Sequence, residues 1–274
     1  ADTIYVDNKL NVNSTRTYSK SGRNGNGNNG RAFKTIQMAL DSMKTGDVIC
    51  IRGGVYTERK ITIPLTKNGT SWNPGNFNTM ISYPGEWAIL DGQKNIFKET
   101  ARAPYLLGNS AGPSLKYWKF ERIEIRNATT ADGQNAAGFF GNHGPFHFRY
   151  CVFRDNIVGY DGNNPGAIVG YTWKDCIVEY CYFYNNGATT KHRNSSHIVI
   201  FADYNEDAHA EKGFNNDKYH IMRNRYQYNL FVSAAGPAVA IKYKNDTFLT
   251  GRNPSAGKGY NDTWKEWGDH INNN

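Results

Sequence analysis

Tyr150-Cys-Val-Phe-Arg-Asp-Asn156 returns 30 residues later as Tyr180-Cys-Tyr-Phe-Tyr-Asn-Asn186. Arg223-Asn-Arg-Tyr-Gln-Tyr-Asn229 reads as a looser third copy, and Arg122-Ile-Glu-Ile-Arg-Asn127 as a weaker earlier one. Each alternates apolar and polar residues over a few positions, which is the pattern of a strand. Phe153 to Phe183 is 30 residues and Phe183 to Tyr226 is 43. Self-similarity at such a period points to a solenoid, whose units bury their apolar faces only against their neighbours.

A second strand line gives the same intervals. Gly166-Ala-Ile-Val-Gly-Tyr-Thr-Trp173, Ser196-His-Ile-Val-Ile-Phe-Ala-Asp203 and Ala238-Val-Ala-Ile-Lys-Tyr-Lys244 share one register, with Tyr171 to Phe201 at 30 residues and Phe201 to Lys242 at 41. Two strand lines with nearly common intervals require a coil with several strands per turn. The longer last interval places an insertion at Asp203 to Asn216. Asn156, Asn186 and Asn229 read as an internal ladder that satisfies turn backbone.

Composition bounds the class. In 274 residues, hydrophobic types make up 39%, enough for a narrow coil that buries alternate residues. The net charge of +8 leaves nucleic acid, anionic lipid or acidic polysaccharide as partners. No nucleic-acid-binding signature is present, and no apolar run approaches the ~20 residues of a membrane span. The start at Ala1, without Met, is that expected of a mature secreted protein. Cys151 and Cys181 occupy matching repeat positions, so they should stack about 4.8 Å apart. Two buried thiols are the simpler reading and a disulfide the alternative.

Thr3-Ile-Tyr-Val-Asp7 reads as a first strand, and the Asn/Gly-rich stretch 11–31 as a loop. Phe33, Ile36, Leu40 and Met43 stand at helical spacing, which predicts a helix over 33–43 ended by Thr45-Gly46. Ala32-Phe-Lys-Thr-Ile-Gln-Met-Ala-Leu40, followed by Gly46-Asp-Val-Ile-Cys-Ile-Arg-Gly-Gly-Val-Tyr-Thr-Glu58, resembles the N-terminal cap of the right-handed parallel β-helix, pectate-lyase-like superfamily. The resemblance implies an all-β solenoid with a capping α-helix. The expected layout is one domain over 1–274, with cap and first rung at 1–60, repeat body at 80–250 and an irregular segment at 251–274. Asp269-His-Ile-Asn-Asn-Asn274 looks like the start of another rung. Either the chain is cut short there or these residues form a C-terminal cap.

Strand parity selects the candidate site. With Val239, Ile241, Ile198 and Ile200 inside, Lys242, Lys244, Phe201 and Asp203 should point out, as should Tyr171 and Trp173 one rung earlier. This gives two outer columns, Tyr171/Phe201/Lys242 and Trp173/Asp203/Lys244. Arg193 and His197 would add a basic edge. Aromatic rings and ammonium groups on a flat face suit an extended acidic sugar chain. Asp203, Glu206 and Asp207 on the insertion are candidate Ca²⁺ ligands, although their spacing matches no EF-hand and a solvated loop reads equally well, and Asp161 could add a ligand to the same face, although a plain Asp-Gly turn is the favoured reading there.

β-Elimination from a uronic-acid polymer needs a neutralised carboxylate, a base for the C5 proton and help for the leaving oxygen. Lysine is a base once a neighbouring cation lowers its pKa. Lys242 and Lys244 could serve as base and neutraliser, and Lys212 is the rival base. In similar β-helix lyases a Lys or Arg base works beside Ca²⁺ held by Asp/Glu, and the resemblance implies those parts for Lys242 and for Asp203, Glu206 and Asp207. A glycoside hydrolase ranks lower, because the chain lacks the Asp-Asp pair and Arg-Ile-Lys of polygalacturonases. A monomeric, non-catalytic polysaccharide-binding module fits everything except the base.

Overall fold

The computed structural model describes residues 1–94, 105–109, 115–129, 137–158, 166–171, 173–188, 196–201, 223–232, 239–242 and 270–272. Among the described residues three long parallel sheets run along a coil, each turn of chain giving one strand to each, and a short fourth sheet pairs Ile157–Val158 with Gly187–Ala188. Val48–Ile51, Asn78–Ser82, Trp118–Glu121, Phe146–Arg149, Ile177–Glu179 and Arg225–Gln227 stack in the first sheet, between Thr3–Val6 and His270–Asn272. Gly54–Tyr56, Ala88–Asp91, Ile123–Arg126, Val152–Arg154, Tyr182–Tyr184 and Leu230–Val232 form the second. Ile61–Thr62, Tyr105–Gly108, Ala137–Phe140, Gly166–Tyr171, Ile198–Phe201 and Val239–Lys242 form the third.

The interior is a set of like-on-like columns. Phe153 stacks on Phe183 at 5.0 Å, and Phe183 on Phe231 at 4.8 Å. Phe120 stacks on Phe148 at 4.8 Å. Each offset-stacked pair adds about 0.5–1.5 kcal/mol beyond its buried area. The corner from the first to the second sheet turns on a single residue with positive φ: Arg122, Tyr150, Tyr180 or Tyr228. A non-glycine residue there costs about 1–2 kcal/mol. The three tyrosines stack at 5.3 and 5.0 Å, which recovers part of that cost.

At the corner leaving the second sheet, the Asn156 side-chain amide donates to Asn186 Oδ1 at 2.9 Å, and Asn186 donates to Phe153 O at 2.9 Å. That ladder is the expected one, but Asn229 is not part of it. Leu230 and Phe231 pair with Tyr182 and Phe183, so the third copy is shifted and the interval from Phe183 ends at Phe231 rather than Tyr226. Asn229 therefore takes the place of Cys181, whose backbone N–H it accepts at 2.9 Å. The cysteines are free and buried, and the Cys181 thiol is pushed well up by burial and by Cys151 beside it.

The helix is shorter than its periodicity predicts. It spans Ile36–Ser42, because Ala32–Phe33 instead pairs with Tyr5 and Val6 as a strand. Thr35 caps the helix through its hydroxyl, and the Glu58 carboxylate accepts the N–H groups of Ile36 and Gln37 at 2.6 and 2.9 Å.

Two expected surface residues lie inside. The strand Gly166–Tyr171 stops before Trp173, and alternation stops with it. Trp173 is fully buried against Phe146 and Phe148, with its indole N–H donating to Gly141 O at 2.8 Å. His197 precedes the strand Ile198–Phe201 and turns into the core, against Phe183 and Phe231. Its Nδ1 accepts from Asn186 Nδ2 at 3.0 Å, so the proton sits on Nε2, which has no hydrogen-bond partner among the described residues. Burial pushes its pKa down to about 4.

Phe183→Ala removes the ring that stands between Phe153 and Phe231, and its expected cost is about 3–5 kcal/mol, read as a lower urea midpoint at unchanged m. His197 gives a pH dependence of definite sign. Its folded pKa of about 4 lies below the ordinary value of 6.5, so the unfolded chain takes the proton first. The contribution to stability is complete above pH 6.5 and falls as the pH drops through 4, by on the order of 2–3 kcal/mol. His197→Gln, which cannot charge, should lose that part of the slope when unfolding is followed between pH 7 and pH 4.

Candidate functional site

The third sheet has its inner line at Leu107, Phe139, Ile168, Ile198 and Val239, which pair in succession. One position on, Phe140, Val169 and Val199 face the other way and form a separate cluster with Tyr105. All four are buried, so this part of the outer face is an apolar belt rather than an exposed ledge. Tyr171 packs on the edge of the belt, with its ring 6.0 Å from Phe140, and is half-buried.

Tyr171 pairs with Phe201, and Phe201 with Lys242. The three backbone positions thus form one line along the coil axis, over about 10 Å at the usual strand spacing. The second expected column fails at its first member, because Trp173 is in the core. His197 is also absent from any outer edge. Asp161, Arg193, Asp203, Glu206, Asp207, Lys212 and Lys244 lie outside the described residues. Among the described residues, no three His, Cys, Asp or Glu side chains come together as a metal site.

The outer face of the first sheet carries a constellation that the sequence did not reveal. His147 Nε2 meets Glu179 Oε1 at 2.9 Å, and Arg149 Nε lies 3.3 Å from the same oxygen. Gln227 donates to Glu179 Oε2 at 2.8 Å. Burial works to raise the Glu179 pKa, but the bonds from Gln227 and His147 prevail and hold it below the usual carboxylate range. Burial lowers the His147 pKa despite the opposing pull of Glu179. Lys119 Nζ sits 2.7 Å from Glu121 Oε2. Trp72 hangs over this face, edge-on to Tyr117 at 5.4 Å and to His147 at 6.3 Å.

The loop that carries Trp72 is held close to the coil. Gly69 N–H donates to Lys116 O at 3.0 Å. Gly46, at φ +89°, passes so near Gly75 that a Cβ there would come within 2.0 Å of the Gly75 carbonyl oxygen. His147 and Glu179 are 32 positions apart in sequence, which hides the pair from local motif reading. The available signal was the rung interval, since Arg149 pairs with Glu179 and parity puts His147 on the same face.

A 100-residue stretch of the chain is 32% identical to the pectate lyase PEL9 of Emericella nidulans. The match spans 35% of this chain and 23% of that protein. No protein-family model matches the chain, and no solved structure matches it. Among the described residues, no helix is long and apolar enough to cross a membrane. Stacked parallel sheets winding into one coil, with this stretch of likeness, give the chain a pectate-lyase-like, all-β parallel β-helix fold.

Proposed function

We propose that the chain cleaves a uronic-acid-containing polysaccharide by β-elimination, with the sugar chain lying at the edge of the third sheet beside Tyr171, past the buried apolar belt. The observation that supports the reading is the backbone register, in which the positions of Tyr171, Phe201 and Lys242 pair in succession on neighbouring strands. The likeness to a pectate lyase and the net charge of +8 support an acidic polymer as substrate.

In this reading Lys242 takes the C5 proton, with Lys212 as the rival base. The electrons form the C4–C5 double bond as the C4–oxygen bond breaks, and the departing oxygen takes a proton. Lys244 beside Lys242 lowers its pKa and pairs with the uronate carboxylate. Arg193 is a further candidate contact to that carboxylate. Asp161, Asp203, Glu206 and Asp207 are the candidate holders of a Ca²⁺ ion, whose charge would add to the neutralisation. A polymer of this kind lies outside cells, so the proposed protein is secreted, and it works as a monomer.

The test is ultraviolet absorbance of the new double bond on mixing with polygalacturonate, alginate or glycosaminoglycans, with and without EDTA. One of these polymers should give a steady rise, and Lys242→Ala should slow it about 10²–10⁴-fold, the usual worth of a general base. Loss of the signal in EDTA would assign the metal. Binding without absorbance would make the protein a non-catalytic module, and new reducing ends without absorbance would make it a hydrolase.

A further inference from the structure

We propose that the outer face of the first sheet, from Trp72 across Lys119 and Arg149 to Arg225, is a second binding surface for anionic sugar chains. It goes beyond the lyase reading, because this surface would hold an acidic polymer whether or not the third sheet cuts it.

Shape comes first. Strands Trp118–Glu121, Phe146–Arg149, Ile177–Glu179 and Arg225–Gln227 are consecutive in the sheet and pair in register. Their outward side chains therefore fall in two straight files along the coil axis. One holds Lys119, His147, Ile177 and Arg225, and the other Glu121, Arg149, Glu179 and Gln227. A file about 14 Å long over four strands matches an extended oligosaccharide laid across the strands.

Charge comes second. The face has three permanent cations, Lys119, Arg149 and Arg225, with Arg122 at its corner, against the carboxylates of Glu121 and Glu179. Both carboxylates are engaged: Glu121 by Lys119 and Arg122, and Glu179 by His147, Arg149 and Gln227. The surplus is positive, and Arg225 is exposed, with no ion pair among the described residues. Arginine forks match planar carboxylates, which selects a uronate over a neutral sugar.

The aromatic platform comes third. Trp72 is 37% exposed although Phe77, Tyr117 and His147 surround its ring at 5.6, 5.4 and 6.3 Å. A large ring held in one orientation and left partly bare offers a sugar face contact area at little entropic cost. As a plain loop anchor, Trp72 would gain by closing fully onto the sheet.

Titration calorimetry with oligogalacturonate, in the Lys242→Ala background so that no cleavage occurs, tests the surface. Trp72→Ala and Arg225→Glu should each weaken one class of binding at least tenfold, and added salt should weaken it further. An uncharged galactan of equal length should not occupy it. The proposal is overturned if both variants, at unchanged thermal midpoint, bind oligogalacturonate as the parent does, or if the parent binds none. Equal binding of the galactan would overturn its anionic selectivity. Failure of the lyase reading would show separately, as unchanged or absent double-bond absorbance in the Lys242 comparison.

Discussion

The structure depends on in-register stacking of each turn of chain on the one before. A rung of this coil is a handful of short strands and cannot close a core alone. Its apolar side chains are buried only when the next rung offers the same type at the same place, as Phe153, Phe183 and Phe231 do. The polar corners obey the same rule, with Asn156 on Asn186 and Tyr150, Tyr180 and Tyr228 in a pile. Because alternate residues face out, a register fixed from inside also fixes the outer files. The backbone line through Tyr171, Phe201 and Lys242 and the file of Lys119, His147 and Arg225 are consequences of core packing.

Much of this was legible in the chain, for physical reasons. The copies at 150–156 and 180–186 are undisturbed by insertion, so their interval and their Asn pair could be read directly. The third copy was misread because Tyr226 and Phe231 are both aromatic and both face the core. Only pairing shows that Phe231 follows Phe183, while Tyr226 follows Val178 in another sheet. Parity gave Ile198 and Ile200 their inward sense but failed at Trp173 and His197, one past a strand end and one before a strand start. Alternation is a property of extended backbone and lapses where the chain turns. The helix began late for a similar reason: Phe33 fits the helical period, but pairing with Val6 claims its backbone.

The two outer faces differ in character. On the third sheet an apolar belt of Phe140, Val169 and Val199 runs beside the proposed cleavage line, and Tyr171 leans on it. On the first sheet charged groups are knitted together around Glu179 and Glu121 under the Trp72 ring. Burial tunes the two histidines differently. His197 is sealed among aromatic rings and serves the core, whereas His147 keeps a carboxylate partner at the surface. Alternation gives both histidines an outward sense, which holds for His147 inside its strand and lapses for His197, which precedes one.

The stacking register is tested most directly by a double-mutant cycle on Phe183→Leu and Phe231→Leu, followed by urea unfolding. Rings stacked at 4.8 Å in consecutive rungs should couple, with the double variant departing from the sum of the singles by about 0.5–1.5 kcal/mol. Additive effects would place the two rings out of contact, and the outer lines built on that register would go with them.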